Sequence, residues 1–150
     1  MSGNTINQSA QQEIFDSMLN GDFILTLVIL NPSREKFFSK RVFVSAMYNS
    51  TENSPFLRNR FFQEEVLYPY ERPNQINEDI DGLRALNLLY LDNNEYRITR
   101  KEQYRITSEG KEYCQRELFS GKIYGEDFLD KLRPLASDFW RYYMQNNPCQ

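Results

Sequence analysis

The stretch Gln75–Leu118, QINEDIDGLRALNLLYLDNNEYRITRKEQYRITSEGKEYCQREL, decides how this chain folds. Its first part places Ile76, Ile80, Leu83, Leu86, Leu89 and Tyr90 three or four residues apart, the apolar stripe of a helix over Gln75–Leu91. Asp92-Asn93-Asn94 ends that helix. Tyr96-Arg97-Ile98-Thr99 and Tyr104-Arg105-Ile106-Thr107 then repeat one short alternating pattern around a charged turn at Arg100–Gln103, which predicts a β-hairpin. Thr107 or Ser108 is placed to cap a further helix running through Leu118. Glu109 and Glu112 fall in its first turns, where a carboxylate suits the positive end of the helix dipole.

Upstream, residues 1–10 are polar and predict a disordered leader. From Gln11 to Leu30 the apolar residues Ile14, Phe15, Met18, Leu19, Phe23, Ile24, Leu27 and Val28 follow helical spacing, with Asn20-Gly21 dividing the run into two pieces. Phe23–Leu30 is short and partly β-branched, so a buried strand stays open beside the favoured helix. Asn31 is expected to cap the next helix with Pro32 at its first position, followed by buried Phe37, Phe38, Val42, Val44, Ala46 and Met47. Asn49–Pro55 reads as a loop, Phe56–Leu67 as a short helix, and Tyr68–Asn74, with two prolines, as an irregular connector. Downstream, Ser120–Gly125 is a break and Glu126–Tyr143 a last helix, bent or divided by Pro134.

At 150 residues the chain fits one domain, here 11–150, large enough to bury a core without disulfides or a structural metal. Its 11 Phe, 10 Tyr and single Trp supply that core, so the stripe Phe37, Phe38, Phe43, Phe61, Phe62 is assigned to packing rather than to base stacking. Cys114 and Cys149 form no CxxC pair, which fits a reducing compartment. The N-terminus lacks the pattern of a signal peptide, and the longest apolar run, Phe23–Leu30, is too short to span a bilayer. A cytoplasmic protein without a membrane partner is the expectation. Histidine is absent, which excludes Ser-His and Cys-His nucleophile pairs and would leave a zinc site to carboxylates and two distant cysteines, against expectation. No catalytic, metal or cofactor site is expected, and the chain is not expected to be an enzyme.

The segments Ile80-Asp-Gly-Leu83-Arg-Ala-Leu86-Asn-Leu88-Leu89 and Arg105-Ile-Thr-Ser-Glu-Gly110 resemble the winged-helix families of the MarR-like and PadR-like regulators. There a recognition helix with spaced leucines and a glycine before its final apolar pair is followed by a hairpin ending in Leu-Thr-x-x-Gly. Asn87 stands where that glycine is usual, and asparagine also accepts left-handed backbone geometry. The resemblance covers roughly 45 residues. It implies a mainly helical fold with a small β-hairpin, a winged helix-turn-helix with extra N- and C-terminal helices. It also implies a regulator or accessory factor that binds double-stranded DNA as a homodimer.

In that arrangement the helix presents Asn74, Gln75, Asn77 and Arg84 to a groove, and the wing brings Arg97, Arg100, Lys101 and Arg105 to phosphates. Lys40, Arg41, Arg58 and Arg60 would add backbone contacts from preceding helices. Against this stand Glu78, Asp79 and Asp81, which as helix-start acids would serve the dipole instead. The Trp140 group (Phe139, Tyr142, Tyr143) on the last helix, 126–144, either caps the core or pairs with a second copy. The alternative function is a winged-helix module for protein–protein contact without DNA, favoured by the acidic pI of about 5.1 and the acidic start of the 75–91 helix.

Overall fold

Phe23 to Val28 is apolar on every side except at Thr26, and all of it is buried within helix α1 (Asn20–Ile29). A helix with no polar face belongs at the centre of a core. Thr26 fits there because its hydroxyl donates to the Asp22 carbonyl one turn back, at 2.8 Å. The computed structural model describes residues 18–34, 36–61, 74–92 and 103–145. After α1 come β1 (Phe37–Ser39), α2 (Lys40–Ser50), a 3-10 turn (Thr51–Asn53), α3 (Pro55–Phe61), α4 (Asn74–Ala85), β2 (Leu89–Asp92) and β3 (Gln103–Ile106). Then follow α5 (Ser108–Tyr113), which continues as a π-helical turn (Cys114–Leu118), and α6 (Phe128–Gln145). The architecture is mainly helical with one three-stranded antiparallel sheet of order β1-β3-β2.

The helical reading of Phe23–Leu30 holds, and the strand alternative falls. Asn20-Gly21 is the first turn of α1, where Gly21 admits the Leu83 side chain: a Cβ would meet Leu83 Cδ2 at 3.1 Å. The leader 1–10, the piece expected at 11–17, the second half of the helix expected over Phe56–Leu67 and the connector 68–73 lie outside the described residues, while Asn74, assigned to that connector, is the first residue of α4.

Asn31 does not cap a helix. Its Oδ1 accepts from the Ser33 amide at 2.9 Å and its Nδ2 donates to the Phe37 carbonyl at 3.2 Å, so it folds a tight turn instead. Asparagine before proline serves either role, and only the position of the following chain decides between them. Phe37 and Phe38 accordingly belong to β1, with Phe38 in the core and Phe37 half-exposed. The cap of α2 is Ser39, whose hydroxyl accepts from Val42 N. At the far end, the expected loop 49–55 is largely helical, since α2 runs to Ser50 and into the 3-10 turn.

The helix expected over Gln75–Leu91 stops at Ala85. Asn87 takes φ +61°, its amide donates to the Arg84 carbonyl and the Leu88 amide to the Leu83 carbonyl, the hydrogen-bond pair of a Schellman ending. The chain leaves as β2, so Leu89–Asp92 pairs with β3, in the register Leu89↔Ile106, Tyr90↔Arg105, Leu91↔Tyr104 and Asp92↔Gln103, and the strand expected at Tyr96–Thr99 falls on residues outside the described ones. Gln103, assigned to the turn, begins β3, and residues 93–102 lie outside the described set. On the other side β3 pairs with β1, Phe38 opposite Tyr104. Phe38, Leu89, Tyr104 and Ile106 face the core.

The helix after the hairpin begins at Ser108 with Thr107 as its cap and reaches Leu118, as the sequence predicts. α6 runs undivided through Pro134, whose ring is exposed, and packs against α1 and α2. The Trp140 group completes this chain's own core. Trp140 Nε1 donates to the Leu27 carbonyl at 2.8 Å, and its ring meets Phe43, Phe139 and Tyr143.

A buried carboxylate ties three elements together. Asp22 in the first turn of α1 accepts from the Tyr113 hydroxyl at 2.7 Å and from the Tyr124 hydroxyl at 2.5 Å. Tyr124 in turn accepts from the Leu19 amide at 3.0 Å. Burial first, and then the Asp22 carboxylate, pushes Tyr124 up to about 12, Tyr113 higher still, and the Cys114 thiol to about 12. Burial likewise raises Tyr143, which accepts from the Ser39 amide. Each folded-state group holds a proton that the unfolded chain has released, so its contribution is complete below the unfolded pKa and is lost as pH rises through the folded one. The urea midpoint is therefore expected to hold up to the ordinary thiol value of 9.0 and to fall steadily from there towards pH 12. Equilibrium unfolding at a series of pH values checks this; a flat midpoint through pH ~11 contradicts it.

Candidate nucleic-acid interface

Two backbone connections fix how α4 stands against the sheet. Thr107 N donates to the Leu88 carbonyl at 3.1 Å, while the Thr107 hydroxyl donates to the Asn87 carbonyl at 2.7 Å and accepts from Gly110 N at 2.8 Å. Gly110 packs so closely behind them that a Cβ on it would lie 2.3 Å from the Leu88 carbonyl oxygen. The end of α4, the end of the hairpin and the start of α5 are thus one clasp. The spaced leucines and the Thr-x-x-Gly segment, separated by some 20 residues of sequence, meet there.

α4 buries Ile76, Ile80 and Leu83 and turns Gln75, Glu78, Asp81, Gly82, Arg84 and Ala85 outward. Of the residues expected to contact DNA, Gln75 and Arg84 are exposed on this helix, Asn77 is half-exposed, and Asn74 is its first residue. Gln75 Nε2 donates to Asp79 Oδ1 at 3.0 Å. Arg105 stands apart from them on the outward face of the sheet, between Phe37 and Tyr90 in the paired rows. Its Nε donates to Asp92 Oδ2 at 3.0 Å and its guanidinium lies over the Phe37 ring, 5.4 Å from the centroid. A guanidinium so held is organised by its own sheet. Arg97, Arg100 and Lys101 lie outside the described residues.

The acids of α4 do not serve its dipole. With Asn74 as the first helical residue, no acid falls in the first turn. Asp81 instead pairs with Lys40 at the start of α2, Nζ to Oδ1 3.0 Å, and Lys40 also lies over the Tyr104 ring. Asp79 turns towards Asn20 and Arg60. Partial burial pushes its carboxyl up from the ordinary value, offset in part by the Gln75 bond, and its Oδ2 has no partner among the described residues. Arg60 donates to the Asn20 side chain. Of the four cations proposed for backbone contact, Lys40 and Arg60 are therefore engaged within the molecule, and Arg41 and Arg58 are exposed.

Sequence reasoning missed the Lys40–Asp81 pair. Forty-one residues separate the partners, so no local pattern signals it. It also missed Asp22 with Tyr113 and Tyr124, for the same reason. Leu86, at the end of α4, is 70 % exposed and Tyr90 on β2 43 %, the main apolar surface beside this face. Among the described residues no group of His, Cys, Asp or Glu is placed to hold a metal ion, and no helix is long and apolar enough to cross a membrane. Comparison with protein-family models, with curated proteins and with solved structures finds no match for this chain.

Proposed function

We propose that this chain is a winged-helix protein that binds duplex DNA, as a transcriptional regulator or accessory factor. The observation that carries the reading is the element order. Helix α4, the hairpin β2–β3 and the Thr107-capped helix α5 follow one another in the order the resemblance implies, after a helix, a strand and two further helices, and β3 lies between β2 and β1. It leaves α4 with a polar outward face directly before the hairpin. An α-helix fits the major groove, and a basic ribbon beside it meets the phosphates. The internal pairing of Asp81 supports the reading, because it reduces the negative charge that α4 presents to a polyanion.

The hairpin connection 93–102 carries Arg97, Arg100 and Lys101. Arg100→Ala with Lys101→Ala is expected to weaken duplex binding evenly across sequences and to reduce the slope of log affinity against log salt by about 2. Fluorescence anisotropy over a salt series measures both. Absence of duplex binding by the wild-type chain at ~50 mM salt ends the proposal.

A homodimer on a two-fold site, with half-sites about one helical turn of DNA apart, belongs to the same proposal. Because the aromatics of α6 fill the core, such a dimer must use other surface, and light scattering decides whether it exists. A second reading, a winged-helix module that binds a protein, is favoured by the exposed Leu86 and Tyr90. It requires a partner whose binding is lost on Leu86→Ser.

A further inference from the structure

The outermost line of α4, opposite Ile76, Ile80 and Leu83, is Glu78, Gly82 and Ala85, all exposed. Two members of that line have no internal cause among the described residues. Gly82 sits in the helix interior, where glycine weakens a helix relative to alanine. A Cβ on it would meet nothing within 4 Å, so no neighbour among the described residues demands a glycine. Glu78 lies beyond the first turn, where the dipole would not reward it, and makes no hydrogen bond or ion pair among the described residues.

We propose that this line of α4 enters the major groove of duplex DNA, with Glu78 accepting a hydrogen bond from the exocyclic amino group of a cytosine. The inference rests on the winged-helix reading and names what its helix recognises. The missing side chain at 82 and the small one at 85 let the helix backbone approach the groove floor, which brings Glu78 to base edges rather than leaving it among phosphates. An ionised carboxylate only accepts hydrogen bonds. The amino donors of the major groove belong to cytosine N4 and adenine N6, and the adenine donor sits beside the N7 acceptor, which opposes a carboxylate. Cytosine is the base that fits.

The distribution of charge separates DNA from a cationic protein as the occupant. A cationic partner would be served by leaving Asp81 unpaired. Instead Lys40 neutralises Asp81 at 3.0 Å, and Asp79 is turned aside and half-buried. One carboxylate is left at the centre of the face, flanked by Gln75 and followed by exposed Arg84. That pattern suits one acceptor contact within a polyanion.

The test is selection of duplexes from a random library by the wild-type chain, Glu78→Ala and Gly82→Ala, with thermal unfolding of each variant. The wild type is expected to enrich a site with a fixed cytosine, and Glu78→Ala to lose discrimination at that base pair by about tenfold while still binding other duplexes. Gly82→Ala is expected to melt above the wild type yet bind the selected duplex at least ~10-fold more weakly, a pairing of signs that a purely structural glycine does not give. An unchanged consensus with Glu78→Ala, or full affinity with Gly82→Ala, overturns the inference and leaves DNA binding standing. No duplex binding by the wild type overturns both.

Discussion

Gly110→Ala is expected to destabilise the fold by about 3 kcal/mol, near the top of the range for forcing one carbon into a packed site. The new Cβ would sit 2.3 Å from the Leu88 carbonyl oxygen and 2.7 Å from Ile106 Cγ1. Neither neighbour can give way cheaply. The Leu88 carbonyl is held by the Thr107 amide, and the Ile106 side chain is buried in the core. Relief would mean moving α5 off the end of α4, which also breaks the Thr107 cap on Gly110 N. Thr107→Ala provides the scale: it removes the cap alone and should cost about 1 kcal/mol. Urea unfolding of both variants measures the difference. A Gly110→Ala cost no larger than that of Thr107→Ala would mean that the clasp is looser than its geometry.

Asp22→Ala is the second large effect, at about 3 kcal/mol. It removes two hydrogen bonds to a charged acceptor, each in the range of about 1.5–3 kcal/mol, and leaves the Tyr113 and Tyr124 hydroxyls without their acceptor. Asp22→Asn should cost less, about 2 kcal/mol, since one amide oxygen still accepts. Tyr124 already accepts from the Leu19 amide, so the new amide N–H gains little there. The two variants carry a signature that a packing defect does not. With the carboxylate gone, the part of the tyrosine shifts due to its charge disappears, and tyrosinate absorbance should rise at lower pH in folded Asp22→Asn than in wild type. Burial remains the larger cause, so the onset moves only part of the way towards the ordinary value of 10.0. If the onset does not move, Asp22 is not the acceptor of these hydroxyls.

The face of α4 links these stability arguments to function. Its acids looked adverse to DNA in the linear sequence, where Glu78, Asp79 and Asp81 fall within four positions. The fold redistributes them: Asp81 is paired at the surface, Asp79 is half-buried, and Glu78 is exposed with no partner among the described residues. Net charge per segment is therefore a poor guide to what a helix presents, because a cation from elsewhere in the chain can cancel it. Arg105 makes the converse point. It counted among the cations of the wing, and the sheet holds it against Asp92 and Phe37.

Local chemistry was enough to write several features directly into the sequence. The all-apolar run of α1, the buried stripe Ile76–Ile80–Leu83, the left-handed Asn87, the β3 strand and the Thr107 cap each depend on residues within a turn or two of one another. Spacing and side-chain type decide such elements before any distant contact forms. What local chemistry left open was settled by partners far along the chain. Phe37–Ser39 becomes a strand because β3 supplies its ladder, and Leu89–Asp92 does so because Asn87 turns the chain back onto the same strand. The aromatic residues of α6 face inward because Leu27 and Phe43 are there to receive them. The charge on α4 was decided the same way, by a lysine at the start of α2. Short apolar segments fit helix and strand almost equally well, so the backbone takes whichever form lets its hydrogen bonds and its apolar face be satisfied together.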